Sequence, residues 1–80
     1  MTKSIDYHIG NMGKSIKEMS PENRVYFASF LESKLTEKYS DHKINIMYGS
    51  GLDMFDKLDP REVRKDISKL HLEWKTENGL

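Results

Sequence analysis

The string Gly10-Asn11-Met12-Gly13-Lys14-Ser15 combines residue types that hold phosphate. Glycines expose backbone amides, and a lysine can reach the outer phosphates. The spacing is wrong for that chemistry. The glycine interval is two residues shorter than a P-loop requires. The helix that should receive the phosphates is expected to start only at Pro21, and no apolar strand ends in an Asp that could hold magnesium. The string reads as a glycine-containing surface loop.

The three histidines, His8, His42 and His71, are too scattered for a sequence-readable metal site, whose ligands normally lie a turn or a loop apart. His8 is expected on the wet face of a strand, His42 in a turn and His71 beside the apolar stripe of a helix. There are no cysteines, which excludes disulfides, thiolate zinc sites and thiol nucleophiles. No Ser-His-Asp or paired-carboxylate arrangement stands out among the many charged residues. The expectation is therefore a non-enzyme, with no catalytic residues, no metal and no cofactor.

The charged residues of the C-terminal third are more informative. On a helical wheel Glu62, Asp66, Glu73 and Glu77 fall within about 60°, beside an apolar stripe of Val63, Ile67, Leu70 and Trp74. Arg61, Arg64, Lys65 and Lys75 lie on the other side with Leu72 among them, and Lys69 borders the acids. A row of carboxylates at ~5–6 Å per helical turn approaches the spacing of nucleic-acid phosphates, so it could occupy a groove built for them. Opposite charges four residues apart would also support an ordinary solvated helix. On the preceding helix, Tyr26 and Phe30 sit one turn apart, away from its main apolar face. They are expected to cover the Ile16–Met19 segment, or else to mark a contact surface.

These residues need elements to position them. Ile5, Tyr7 and Ile9 alternate with polar neighbours over Ser4–Ile9, the period of a strand with one wet face. Ser20-Pro21-Glu22 is a helix start, with a capping hydroxyl, a proline suited to the first position and an acid at the positive end of the dipole. Phe27, Ala28, Leu31, Leu35 and Tyr39 then form one face, so the first helix runs to about Tyr39. Ile44, Ile46 and Tyr48 mark a second strand, Gly49-Ser50-Gly51 a turn, and Leu52–Phe55 a short third strand. Asp59-Pro60-Arg61-Glu62 starts the second helix with capping-box spacing, and Glu77-Asn78-Gly79 lets it end.

The order is strand, helix, strand, strand, helix. A helical crossover favours parallel pairing of strands one and two, and the glycine turn favours an antiparallel hairpin between strands two and three. The expected fold is α+β, β-α-β-β-α, a three-stranded mixed sheet with two helices packed on one face. At 80 residues a single domain over residues 1–80 is expected, with a core too thin to enclose an active site. The balance of 13 Lys+Arg against 13 Asp+Glu argues against direct nucleic-acid binding, which is driven by basic excess. That chemistry, if present, would fall on Arg61, Arg64, Lys65 and Lys75. No apolar run suits a signal peptide or a bilayer span, so a cytoplasmic location and no membrane partner are expected. A monomer is expected, or a weak homodimer paired through the Leu52–Phe55 edge.

Taken as a whole, the sequence resembles the DinI-like family, small modulators of RecA in the bacterial DNA-damage (SOS) response, some of them carried by phages and plasmids. The resemblance rests on the strand Ser4–Ile9, the helix Pro21–Tyr39, Ser40-Asp41-His42, the strand Lys43–Tyr48, the Gly/Ser turn, and the charged helix with Ile67, Leu70 and Trp74. It implies two helices on a three-stranded sheet. It also implies that an acidic C-terminal helix binds the recombinase filament as a DNA mimic, a role that would fall on Glu62, Asp66, Glu73 and Glu77. The sequence departs from the family pattern in Arg61, Arg64, Lys65, Lys69 and Lys75, and in ending Glu77-Asn-Gly-Leu without an acidic, aromatic tail. The alternative is a phage or mobile-element module that binds another host protein through Tyr26 and Phe30 or the sheet; Tyr26, Phe30, Arg64 and Lys65 are the secondary interface candidates.

Overall fold

The computed structural model describes residues 3–80. Strand β1 (Lys3–His8) leads into a 3-10 turn (Ile9–Met12) and a one-turn helix α1 (Lys14–Lys17). Helix α2 (Pro21–Lys38), strands β2 (His42–Met47) and β3 (Met54–Phe55), and helix α3 (Pro60–Glu77) follow. The fold is α+β, and the two long helices are those expected. Ser20 caps α2 by accepting the Asn23 N–H at 3.2 Å, with Pro21 at the first position. Asp59 caps α3 by accepting the Arg61 N–H at 3.0 Å, one residue earlier than a capping box would place the bond.

The sheet order is β2-β1-β3, with β1 and β2 parallel in the register Ile5 to Ile44 and Tyr7 to Ile46. The expected hairpin between the second and third strands does not form. Instead β3 pairs antiparallel with β1, Ile5 opposite Phe55. Residues 48–53 do not turn back on β2, because they are tied across the end of β1. The Gly10 N–H donates to the Gly49 carbonyl at 3.1 Å. The Asn11 side chain donates to the Gly51 carbonyl at 2.7 Å and accepts the Gly51 N–H at 3.1 Å. The chain thus passes over the end of the central strand and descends on its far side. Gly10 makes this crossing possible, since a Cβ there would lie 2.5 Å from the Gly49 backbone.

Ile5 and Tyr7 of β1, with Ile9 at the start of the following turn, pack against Phe27, Leu31 and Leu35 of α2 and Val63, Ile67 and Trp74 of α3. One core therefore serves the sheet and both long helices, all on one side. Ile16 is buried and Met19 packs against the core, so the segment expected to be a loop is pinned as expected but contains helical turns. His42, expected in a turn, belongs to β2 and is 8 % exposed. Its burial is satisfied at both ring nitrogens, Nε2 lying 2.8 Å from the Asp56 carbonyl and Nδ1 3.0 Å from the Asp41 carboxylate. Among the described residues no helix is long and apolar enough to cross a membrane.

Candidate functional site

Helix α3 buries Val63, Ile67 and Trp74 and so directs its charged faces outward. Three members of the acidic row, Glu62, Glu73 and Glu77, are exposed. Among the described residues none of the three forms an ion pair. Asp66 behaves differently. Its carboxylate accepts the Tyr39 hydroxyl at 2.5 Å and lies 2.8 Å from the Lys38 ammonium, with its side chain 17 % exposed. Burial pushes the Asp66 carboxyl up, but the bonds from Lys38 and Tyr39 outweigh it and hold it below its ordinary value. The Tyr39 hydroxyl is pushed up to about 12, by burial first and then by its bond to Asp66.

Asp66 thus belongs to the contact between α2 and α3 and does not extend the row into solvent. Without it, Glu62 and Glu73 are separated by roughly 16 Å along the helix, and only Glu73 and Glu77 keep a one-turn spacing. A continuous ladder with phosphate spacing is not present. The exposed acids form one isolated carboxylate and one pair.

The packing of α2 adds something the wheel of α3 alone did not contain. Tyr26, Phe30, Lys34 and Lys38 occupy successive turns of α2 and form one ridge. Lys38, at the C-terminal end of this ridge, reaches Asp66 of the acidic row. Phe27, on the buried face of the same helix, meets Trp74 of α3 at 5.4 Å between ring centroids. The two aromatics expected to cover the Ile16–Met19 segment differ in burial. Phe30 packs against the core, with the Lys34 ammonium 5.7 Å from its ring centre. Tyr26 is 65 % exposed.

The opposite side of α3 does not form one basic stripe. Arg61 and Lys65 are exposed, but Arg64 turns toward the sheet, its guanidinium 5.2 Å from the Phe55 ring centre and 3.6 Å from the Asp53 carboxylate. Asp53 gave no signal in the sequence, where an aspartate near a Gly-Ser-Gly string reads as a turn residue. Its side chain is 1 % exposed and accepts the His8 N–H at 2.7 Å, with the His8 ring nitrogen at 3.0 Å. His8 is therefore a half-buried anchor of the crossing segment. Tyr7, Ser15, Ser68 and His71 line an open cleft of about 320 Å³ beside Arg64 and Asp53. His71 packs on Phe27 at 5.1 Å, and burial, then Lys75, holds it below its ordinary value. Among the described residues no three His, Asp or Glu side chains gather where they could hold a metal ion.

In comparisons with models of known protein families, with characterised proteins and with solved structures, the chain matches none.

Proposed function

We propose that the chain is a small, non-enzymatic cytoplasmic regulator. It binds a RecA-type recombinase filament through α3 and modulates the response to DNA damage. The observation that carries this reading is the exposure of Glu62, Glu73 and Glu77 on a helix firmly packed on its other side. The resemblance of the sequence to the DinI-like family supports the choice of partner. Rigid presentation matters because side chains already fixed in place lose less entropy on binding. In this reading Glu73 and Glu77 meet basic side chains that otherwise face DNA, and the exposed Tyr26 of α2 offers additional apolar contact. Asp66 holds the helix in place and does not touch the partner.

The reading is tested by co-sedimentation with recombinase filaments. Glu73→Lys with Glu77→Lys is expected to abolish pelleting of the chain with the filament, while Arg61→Gln on the far side leaves it intact. Equal pelleting of both variants would remove the assignment to α3.

The exposure of Tyr26 together with Val25, 51 % exposed, favours one second reading: a phage- or mobile-element-type module that binds another host protein through α2. Tyr26→Ala distinguishes the two. It is expected to weaken recombinase binding only moderately, but to abolish capture of a partner recognised mainly through α2.

A further inference from the structure

The face of α3 turned away from the acidic row presents Arg64, Ser68, His71 and Lys75 on successive turns. This face looks into the cleft of about 320 Å³ whose opposite wall includes Tyr7 and Ser15. A second cleft of about 330 Å³, bordered by Lys75, shares Ser15 and His71 with the first. The two clefts adjoin at Ser15 and His71, are open to solvent, and mix polar with apolar lining.

The clefts contain polar atoms that the fold leaves without partners. Tyr7 is 6 % exposed, lies at the cleft, and among the described residues its hydroxyl makes no hydrogen bond. The His71 Nε2 atom is buried and likewise has no partner. Buried polar groups are almost always satisfied, so the orphaned His71 nitrogen, together with a Tyr7 hydroxyl that faces the cleft unpaired, points to a ligand or to bridging water. Burial, then the charge of Asp53, pushes the Tyr7 hydroxyl up to about 12, so at neutral pH it carries a proton to donate. Arg64 adds a guanidinium whose nearest carboxylate contact is a loose 3.6 Å, leaving donors free. Ser68 stands one turn further along.

We propose that this cleft is a binding site for a carboxylate group, gripped by the Arg64 guanidinium and the Tyr7 and Ser68 hydroxyls. The planar fork of arginine pairs with the two oxygens of a carboxylate. A phosphate monoester fits less well. The covered Asp53 carboxylate beside Arg64 repels a second negative charge, while its 1 % exposure keeps it from serving as a ligand for a cation. The site lies on the other side of α3 from Glu62, Glu73 and Glu77, so it stands or falls independently of filament binding. The carboxylate can belong to a small organic acid or to the end of a polypeptide, and the clefts have room for either.

The test is an amide and arginine-Nε NMR titration of the intact chain at constant ionic strength. The probes are succinate, tetra-alanine, tetra-alanine amide and inorganic phosphate. Saturable shifts at Arg64 Nε and Ser68 with succinate alone support a small-acid site. The same shifts with tetra-alanine but not its amide support a chain terminus. Tyr7→Phe keeps the ring in the core and is expected to weaken binding roughly tenfold or more by removing one charge-assisted bond. Arg64→Gln is expected to abolish it. The proposal is overturned by any of three results: no saturation with either carboxylate probe, equal affinity in both variants and the parent, or tighter binding of phosphate than of succinate.

Discussion

The Tyr39 hydroxyl donates to the Asp66 carboxylate at 2.5 Å, joining the last turn of α2 to the second turn of α3. Lys38 approaches the same carboxylate at 2.8 Å. This triad takes one carboxylate out of a row of four and uses it to set the angle at which the other three are presented.

Tyr39→Phe is expected to destabilise the fold by about 1 kcal/mol, the net worth of one such bond when Lys38 still compensates the carboxylate. Urea denaturation at neutral pH measures it. The pH dependence has a definite sign at each end. Tyr39 titrates near 12 when folded, against 10.0 for the ordinary value. Its contribution is thus full below pH 10 and disappears as pH rises through 12. Asp66 is held below its ordinary 3.8, so its contribution is present above that pH and disappears as pH falls further. Tyr39→Phe should flatten the alkaline limb of the stability profile, and Asp66→Asn the acid limb.

Asp53→Ala is expected to cost about 1–3 kcal/mol, because it leaves the half-buried His8 N–H without an acceptor. Asp53→Asn keeps an oxygen in place and is expected to recover most of that loss. Thermal unfolding of the two variants side by side checks the difference. Equal losses would mean that the charge, and not the hydrogen bond, is what the crossing segment needs.

The glycines of the crossing separate cleanly. Gly10→Ala forces a Cβ to within 2.5 Å of the Gly49 backbone, and the strain is expected to cost about 1–3 kcal/mol. A Cβ at Gly49 meets nothing within 4 Å, so Gly49→Ala should stay within about 0.5 kcal/mol of the parent. Denaturation midpoints of the two variants measure both.

The helices were legible because their signals are local. Ser20-Pro21 and Asp59-Pro60 fix the starts, and the spacing of Phe27, Leu31 and Leu35 or of Val63, Ile67 and Trp74 fixes the buried face. The pairing of β3 was not, because Gly49-Ser50-Gly51 serves a hairpin and a crossing equally well. The choice is made by Gly10 and Asn11, some 40 residues away in the chain. The same limit applies to the candidate site. A wheel places Asp66 with Glu62, Glu73 and Glu77, but it contains no trace of Lys38 and Tyr39, which remove it from the exposed row. Nor does it show that Phe27 of α2 meets Trp74, which only the packing of the two helices does. His42 reads as a turn residue until Asp41 and the Asp56 carbonyl are seen to satisfy both of its nitrogens.

The central claim is that exposed carboxylates of α3 engage a recombinase filament. Its most direct test is the affinity of filaments for the chain with Glu62, Glu73 and Glu77 all changed to Gln, a change that leaves the Asp66 triad and the core untouched. The account predicts that affinity falls about tenfold or more and that the parent chain loses affinity as salt rises, because the contact is electrostatic and partly exposed. An affinity equal to that of the parent at every salt concentration would contradict it.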